Sequence, residues 1–183
     1  MDIDNLLKGK IGKTEILELV TWATGSEDRL NQLWNLCRSE NRKASVNALW
    51  VITHLPETDG AWIESKRDLM IDILLIETDI AKKRMLLQIL RKQVYEAENI
   101  RTDFLDYCLS KINSECEPYA VRCFSLYAAY RMCSRYPELI SELESHLSLL
   151  EYQPLSPGLK SALRQTKTKI KKLKKRTIVS ISS

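Results

Sequence analysis

The chain has 183 residues, which is enough for one ordinary domain or a short repeat array with a substantial core. Hydrophobic residues make up 44% and charged residues 28%, with five Gly and five Pro, a composition that argues against a disordered chain. The net charge is only +4. The five cysteines form no CxxC pair and there are only two histidines, so a disulfide framework and a zinc site are both disfavoured.

Apolar residues recur at steps of three and four along almost the whole chain, which predicts helices and no strand. In chain order, the periodic segments are TEILELVTW, EDRLNQLWNLC, ASVNALWVITHL, RDLMIDILLI, RMLLQILRKQV, TDFLDYCLSKI, YAVRCFSLYAAYRM, ELISELESHLSLL and LKSALRQTKTKIKKL. Short breaks with turn and cap residues separate them. Helices joined by short loops pack as antiparallel neighbours, so the sequence predicts a series of helical hairpins.

One helix pair recurs four times at a nearly constant spacing. Equivalent positions of the first helix, 38 residues apart, are Leu33, Ile71, Leu109 and Leu147. Equivalent positions of the second helix, spaced by 38, 39 and 38, are Val51, Ile89, Ala128 and Thr166. The second helices are predicted to open with cap or first-turn residues at Asn41, Asp79, Pro118 and Ser156. Such a period predicts stacked helical repeats that bury their apolar faces on one another.

The segment AVRCFSLYAAY, residues 120–130, carries a valine-arginine pair followed by small and apolar residues. The basic position recurs at Lys83 and Lys160, whereas Ser45 departs from it. This pattern resembles the second helix of the HEAT and armadillo-like α-solenoid superfamily. The resemblance implies an all-α fold, a right-handed α-α superhelix of about four HEAT-like helix pairs, with residues 14–23 as an N-terminal capping helix.

The organisation expected from this pattern is a single HEAT-like domain over residues 1–176 and a flexible tail over 177–183. The four repeats are expected at about 26–55, 64–94, 102–133 and 140–173. The first residues show no signal-peptide pattern and no apolar run reaches the roughly 18 residues of a membrane span, so a cytoplasmic location is expected.

The C-terminal helix forms the strongest charge feature. From Lys160 onward there are nine Lys or Arg and no acidic residue, which leaves the preceding residues at −5. The basic patch predicted there consists of Lys160, Arg164, Lys167, Lys171, Lys174 and Lys175. Such a cluster binds phosphate backbones or acidic protein surfaces by long-range attraction, or it simply solvates a terminal helix. The sequence leaves these alternatives open.

The second helices of such solenoids usually line an inner, concave face. Residues outside the apolar stripe on these helices are candidate binding residues, namely Asn47, Trp50, Lys83, Arg84, Arg91, Tyr119, Arg122, Tyr130 and Arg131. Aromatic and arginine side chains suit recognition because they combine a large contact area with stacking and planar hydrogen bonding. The alternative is that the aromatic rings only fill gaps between repeats.

Enzyme motifs are missing from the sequence: it has no GxGxxG, GxxxxGK[ST], GxSxG or HExxH. Some bacterial alkylpurine DNA glycosylases are similar to HEAT-like solenoids and use an aspartate beside aromatic residues. The residues four positions after the tryptophans are Ser26, Arg38, His54 and Lys66, so a Trp with Asp at i+4 does not occur. No catalytic residue, cofactor or metal is predicted.

The function predicted from the sequence is a non-catalytic protein-binding scaffold or adaptor module that uses the concave face of stacked helical repeats to bind a protein or peptide partner. The alternative is a nucleic-acid-binding protein, related to HEAT-like DNA glycosylases, that binds through the basic C-terminal helix. No membrane association is predicted, and the oligomeric state is left open.

Overall fold

In a computed structural model of the chain, residues 2–96 and 100–181 are described, with side chains for all of these except 137 and 177–181. The helices found in the described residues are α1 Ile3–Lys8, α2 Lys13–Ala23, α3 Glu27–Cys37, α4 Arg42–Ile52, α5 Gly60–Ser65, α6 Arg67–Ile76, α7 Ile80–Leu90, α8 Thr102–Ile112, α9 Tyr119–Cys133, α10 Ile140–Glu151 and α11 Pro157–Ile181. Short 3-10 turns cover Glu57–Asp59 and Pro137–Leu139. No strand occurs in this part of the chain, which confirms the all-α prediction.

The chain divides into two compact units, Met1–Leu90 and Arg91–Ser183. In the first unit α4 is central and packs against α1, α2, α3 and α7, while α6 packs against α7. In the second unit α9 is central and packs against α8, α10 and α11. The four predicted helix pairs are therefore α3 with α4, α6 with α7, α8 with α9 and α10 with α11.

The predicted starts of the second helices carry side-chain caps in three of four cases. Asn41 accepts a hydrogen bond from the Ala44 N–H at 3.0 Å, and Asp79 accepts from the N–H groups of residues 81 and 82. Ser156 accepts from the Leu159 N–H at 3.3 Å. Pro118 precedes α9 without a side-chain cap, since its ring has no polar atom to offer. These caps satisfy orphan N–H groups of the first turns and fix where the helices begin.

Two short helices lie where the sequence predicted none. The predicted capping helix is α2, but α1 precedes it and buries Ile3 and Leu7. Asn47 of α4 donates a hydrogen bond to the Leu7 carbonyl at 2.8 Å and so holds α1 in place. The helix α5 lies between two of the predicted helical segments and buries Trp62, whose indole N–H donates to Asn31 at 3.1 Å. Of the tail predicted over 177–183, only the backbone as far as Ile181 belongs to the described residues.

The apolar repeat positions form the core of both units. Leu33 and Ile71 are fully buried in the first unit, and Ala128 and Leu147 are fully buried in the second. One repeat position is polar: Thr166 of α11 is completely buried, and its hydroxyl has no hydrogen-bond partner in the described part of the chain. A buried hydroxyl without a partner opposes folding, because its hydrogen bonds to water are lost and not replaced.

Replacing Thr166 by valine is therefore expected to raise the free energy of unfolding by about 1 kcal/mol, because it exchanges the unpaired hydroxyl for a methyl group of similar volume. Urea unfolding followed by far-UV circular dichroism measures this difference. Thr168→Val is the control, since Thr168 is exposed and its hydroxyl donates to the Arg164 carbonyl at 2.9 Å. A Thr166→Val protein less stable than the native one would contradict the prediction.

Candidate functional site

A cleft of about 570 Å³ lies between α9 and α11 in the second unit. We call it the α9–α11 cleft. The residues that line it are Arg91, Lys92, Tyr127, Tyr130, Arg131, Ser134, Gln165 and Lys169. Four of these eight residues are cationic and none is a carboxylate. The cleft is therefore a concave, positively charged surface with two phenol rings, a combination suited to an anionic ligand.

The helix α9 supplies one wall of the cleft because of its spacing. Tyr127, Tyr130, Arg131 and Ser134 follow one another at steps of three, one and three, so they share one side of the helix. The opposite side is buried at Val121 and packs in the core of the unit. The other wall comes from α11, where residues 165 and 169 are separated by four positions and share a face. Two packed helices thus hold the polar side chains in a fixed arrangement.

Arg91 is the most constrained cation of the cleft. Its guanidinium carbon lies 4.6 Å from the centroid of the Phe124 ring and 5.5 Å from that of the Tyr127 ring. Such cation–π contacts orient a planar guanidinium without satisfying its N–H groups. The Nε atom of Arg91 is buried and has no hydrogen-bond partner among the described residues. Arg91 therefore lines the cleft with an oriented guanidinium, one of whose buried N–H groups has no acceptor in the described part of the chain.

The other cations of the cleft are more exposed. The Nζ atom of Lys169 lies 5.7 Å from the centroid of the Tyr130 ring, and Arg131 makes a long contact of 3.5 Å to the carbonyl oxygen of Gln93. None of the four cations forms an ion pair with a carboxylate of residues 2–96 or 100–176. Their mutual repulsion is consequently not relieved by a nearby acid within the described residues.

The tyrosines of the cleft remain neutral at physiological pH. Burial raises the pKa of Tyr130 above its ordinary value, although the Arg176 guanidinium acts in the opposite direction. Burial likewise raises the pKa of Tyr127, and its neighbour Cys123 adds to the effect. The pKa of the Cys123 thiol is also raised by burial. The cleft therefore offers hydroxyl groups and cations that hold a ligand, and these raised pKa values disfavour a phenolate or thiolate nucleophile.

The structure brings together three of the binding residues predicted from sequence: Arg91, Tyr130 and Arg131 all line the α9–α11 cleft. Tyr119 lines a different recess of about 350 Å³ at the start of α9. The remaining predicted residues lie in the first unit, which does not contain the cleft, and are Asn47, Trp50, Lys83 and Arg84. Among them Arg84 is exposed, whereas Trp50 is half-buried and its ring packs edge-on against His54 at 6.5 Å.

Two of the predicted binding residues form hydrogen bonds within their own unit. Arg122 is only 2% exposed, and its Nε donates to the carbonyl oxygen of Ile112 at 3.0 Å. Its second donor binds the side-chain oxygen of Gln153. Asn47 is engaged with the backbone of α1 at Leu7. Both side chains connect elements within their own unit, and Arg122 also lines the recess that contains Tyr119.

The basic patch predicted on α11 does not form one uniform surface. Lys167 pairs with Glu151 at 2.5 Å, and Lys174 pairs with Glu144 at 2.6 Å, so acids of α10 neutralise part of this edge. The other predicted members, all exposed, are Lys160, Arg164, Lys171 and Lys175. The edge that faces α9 instead carries Lys169, which lies over the Tyr130 ring and was not among the predicted residues.

The residues of the cleft that sequence reasoning missed are Lys92, Tyr127, Ser134, Gln165 and Lys169. A signal existed for Tyr127, which stands three positions before Tyr130 and therefore shares its side of α9. No comparable signal existed for Lys92, because its place depends on how the segment before α8 packs.

The chain matches the family model of a HEAT repeat domain over residues 3–170. This match covers most of the 183 residues, so the chain belongs to the HEAT repeat domain family and fits a superhelix of helical repeats. No curated protein and no solved structure matches the chain. Across the described residues, no helix is both long enough and apolar enough to cross a membrane.

Proposed function

We propose that this HEAT repeat protein is a non-catalytic protein-binding module whose α9–α11 cleft binds an acidic segment of a partner protein. The observation that carries the proposal is the composition of the cleft: four cations and two tyrosines, with no carboxylate in the lining. Asp and Glu side chains of a partner would supply the missing negative charge, and the tyrosine rings would contact the peptide between them.

The size of the cleft suits a short segment. Its volume of about 570 Å³ lies in the range of roughly 300 to 1,000 Å³ that is usual for ligand sites in proteins. Such a volume holds a few side chains of an extended or helical peptide. Because α9 and α11 pack against each other, the backbone of both walls is already in place before binding, and this preorganisation favours affinity.

The distribution of charge supports the same partner. The second unit, Arg91–Ser183, has 16 basic and 10 acidic residues, a net charge of +6, whereas the first unit has 12 basic and 14 acidic residues, a net charge of −2. An acidic segment is therefore attracted to the second unit before any contact forms, and the attraction weakens as salt screens it.

Nucleic acid is the second candidate, favoured by the exposed side chains of Lys171 and Lys175 on α11. Against it, Lys167 and Lys174 are already paired with glutamates of α10. A phosphate backbone that followed this edge would approach Glu144 and Glu151, which repel it. The acidic peptide is therefore the candidate that the charges favour.

Fluorescence anisotropy with a short labelled peptide rich in Asp and Glu tests the proposal. We expect binding at low salt, and we expect Lys169→Glu to weaken it by about tenfold or more, which corresponds to about 1.4 kcal/mol. Lys160→Glu is the matched control, because it makes the same charge change at an exposed position of α11 that does not line the cleft.

Besides an absence of peptide binding at low salt, two results would contradict the proposal. One is an equal loss of peptide affinity in Lys169→Glu and Lys160→Glu, since this would indicate attraction to the whole basic helix rather than to the cleft. The other is a labelled DNA oligonucleotide that binds more tightly than the peptide at the same salt concentration, which would favour the nucleic-acid candidate.

A further inference from the structure

We infer that the acidic segment bound in the α9–α11 cleft carries a phosphorylated side chain, and that Arg91 is the residue that distinguishes phosphate from carboxylate. The inference rests on the proposed function, since it names the chemistry of the group that the cleft binds. It is carried by the oriented guanidinium of Arg91, the number of cations and the size of the cleft.

Arg91 is positioned like a preformed clamp for an oxyanion. Contacts of its guanidinium carbon at 4.6 and 5.5 Å from the ring centroids of Phe124 and Tyr127 hold the guanidinium in place. Its buried Nε–H lacks an acceptor in the described part of the chain, which is costly for a buried donor. Two oxygens of a phosphate in the cleft would accept from the terminal N–H groups of the guanidinium, a bidentate geometry that guanidinium groups favour.

The charge of the cleft exceeds what one carboxylate balances. Arg91, Lys92, Arg131 and Lys169 contribute four positive charges to the lining. A phosphomonoester carries about −1.5 to −2 charges near neutral pH and has three oxygens that accept hydrogen bonds, whereas a carboxylate carries one charge on two oxygens. A phosphorylated side chain therefore neutralises more of the repulsion and satisfies more donors, including the hydroxyl of Tyr130.

The volume of the cleft favours phosphate on a peptide over free phosphate. A phosphate ion fills only a small part of about 570 Å³ and leaves the two tyrosine rings without contact. A phosphorylated side chain with its neighbouring residues would cover the rings as well. A single bound group would then use both the cations and the apolar surface of the cleft.

The test uses the full chain and one acidic peptide synthesised with serine, glutamate, phosphoserine or phosphotyrosine at its centre. At a fixed salt concentration we expect one of the phosphorylated peptides to bind about tenfold more tightly than the glutamate peptide. In Arg91→Lys the charge remains but the planar fork is lost, so this preference is expected to fall to about threefold or less. Arg164→Lys, exposed and outside the cleft, should retain the full preference.

The outcomes separate the two proposals. Equal affinities for the glutamate and phosphorylated peptides in the native protein would overturn the phosphate inference and leave the acidic-segment proposal standing. Failure of all four peptides to bind would overturn both. An unchanged preference in Arg91→Lys would overturn the role of Arg91. Inorganic phosphate or an oligonucleotide that displaces the phosphorylated peptide with equal or greater affinity would overturn a peptide-borne phosphate as the ligand.

Discussion

Replacing Arg122 by alanine is expected to lower the free energy of unfolding by about 3 kcal/mol, because it breaks a buried network. The guanidinium donates to the carbonyl of Ile112 at the end of α8 and to the side chain of Gln153, which in turn donates to the carbonyl of Asn113 at 3.1 Å. The alanine variant leaves the Ile112 carbonyl and the side-chain oxygen of Gln153 without their donor, and it removes a cation from the negative end of the α8 dipole.

Arg135→Ala is the control for this experiment, because Arg135 is exposed and belongs to the same unit. Its replacement is expected to change stability by no more than about 0.5 kcal/mol. Urea unfolding should be followed by far-UV circular dichroism, since the four tryptophans all lie in the first unit and their fluorescence does not report on the second. Equal stability losses in Arg122→Ala and Arg135→Ala would contradict the structural role of Arg122.

Replacing Phe104 by alanine is expected to lower the free energy of unfolding by about 4 kcal/mol, because Phe104 is fully buried and its removal leaves a cavity in the second unit. The Phe104 ring lies 6.0 Å from the ring of Tyr95, which is itself only 4% exposed. Tyr95 anchors the segment that carries Arg91 and Lys92 into the cleft. The variant is therefore also expected to bind the acidic peptide more weakly.

Phe104→Leu is the matched variant. Because leucine fills most of the space, this replacement should lower the free energy of unfolding by about 1.5 kcal/mol or less. Urea unfolding and peptide anisotropy on the same protein samples measure both effects. If Phe104→Ala lowered stability by less than about 1 kcal/mol, the close packing of α8 against its unit would be contradicted.

The repeat pattern predicted the fold well because apolar positions recur at a fixed interval. Leu109 and Leu147, 38 residues apart, are both buried, as the spacing requires. The short helix α1 escaped prediction because it has only six residues and buries only Ile3 and Leu7. Two apolar positions are too few to reveal a period, and its place depends on the tertiary hydrogen bond from Asn47.

The candidate site was only partly predictable, because residue type does not indicate which side of a helix packs inward. Arg122 and Arg131 belong to the same helix, but nine positions separate them, so they leave α9 in different directions. Arg122 lies inside the unit as a donor to the α8 carbonyl end, whereas Arg131 lines the cleft. Lys169 stands in a run of lysines, and only the packing of α11 on α9 distinguishes it from its neighbours.

The central claim is that the α9–α11 cleft is the binding surface, and NMR titration of the isotope-labelled full chain with the acidic peptide tests it most directly. The account predicts that the amide signals of residues 127–134, Gln165 and Lys169 shift and saturate together as peptide is added. Shifts confined to the α10-facing edge at Lys167 and Lys174, or confined to the first unit, would contradict it.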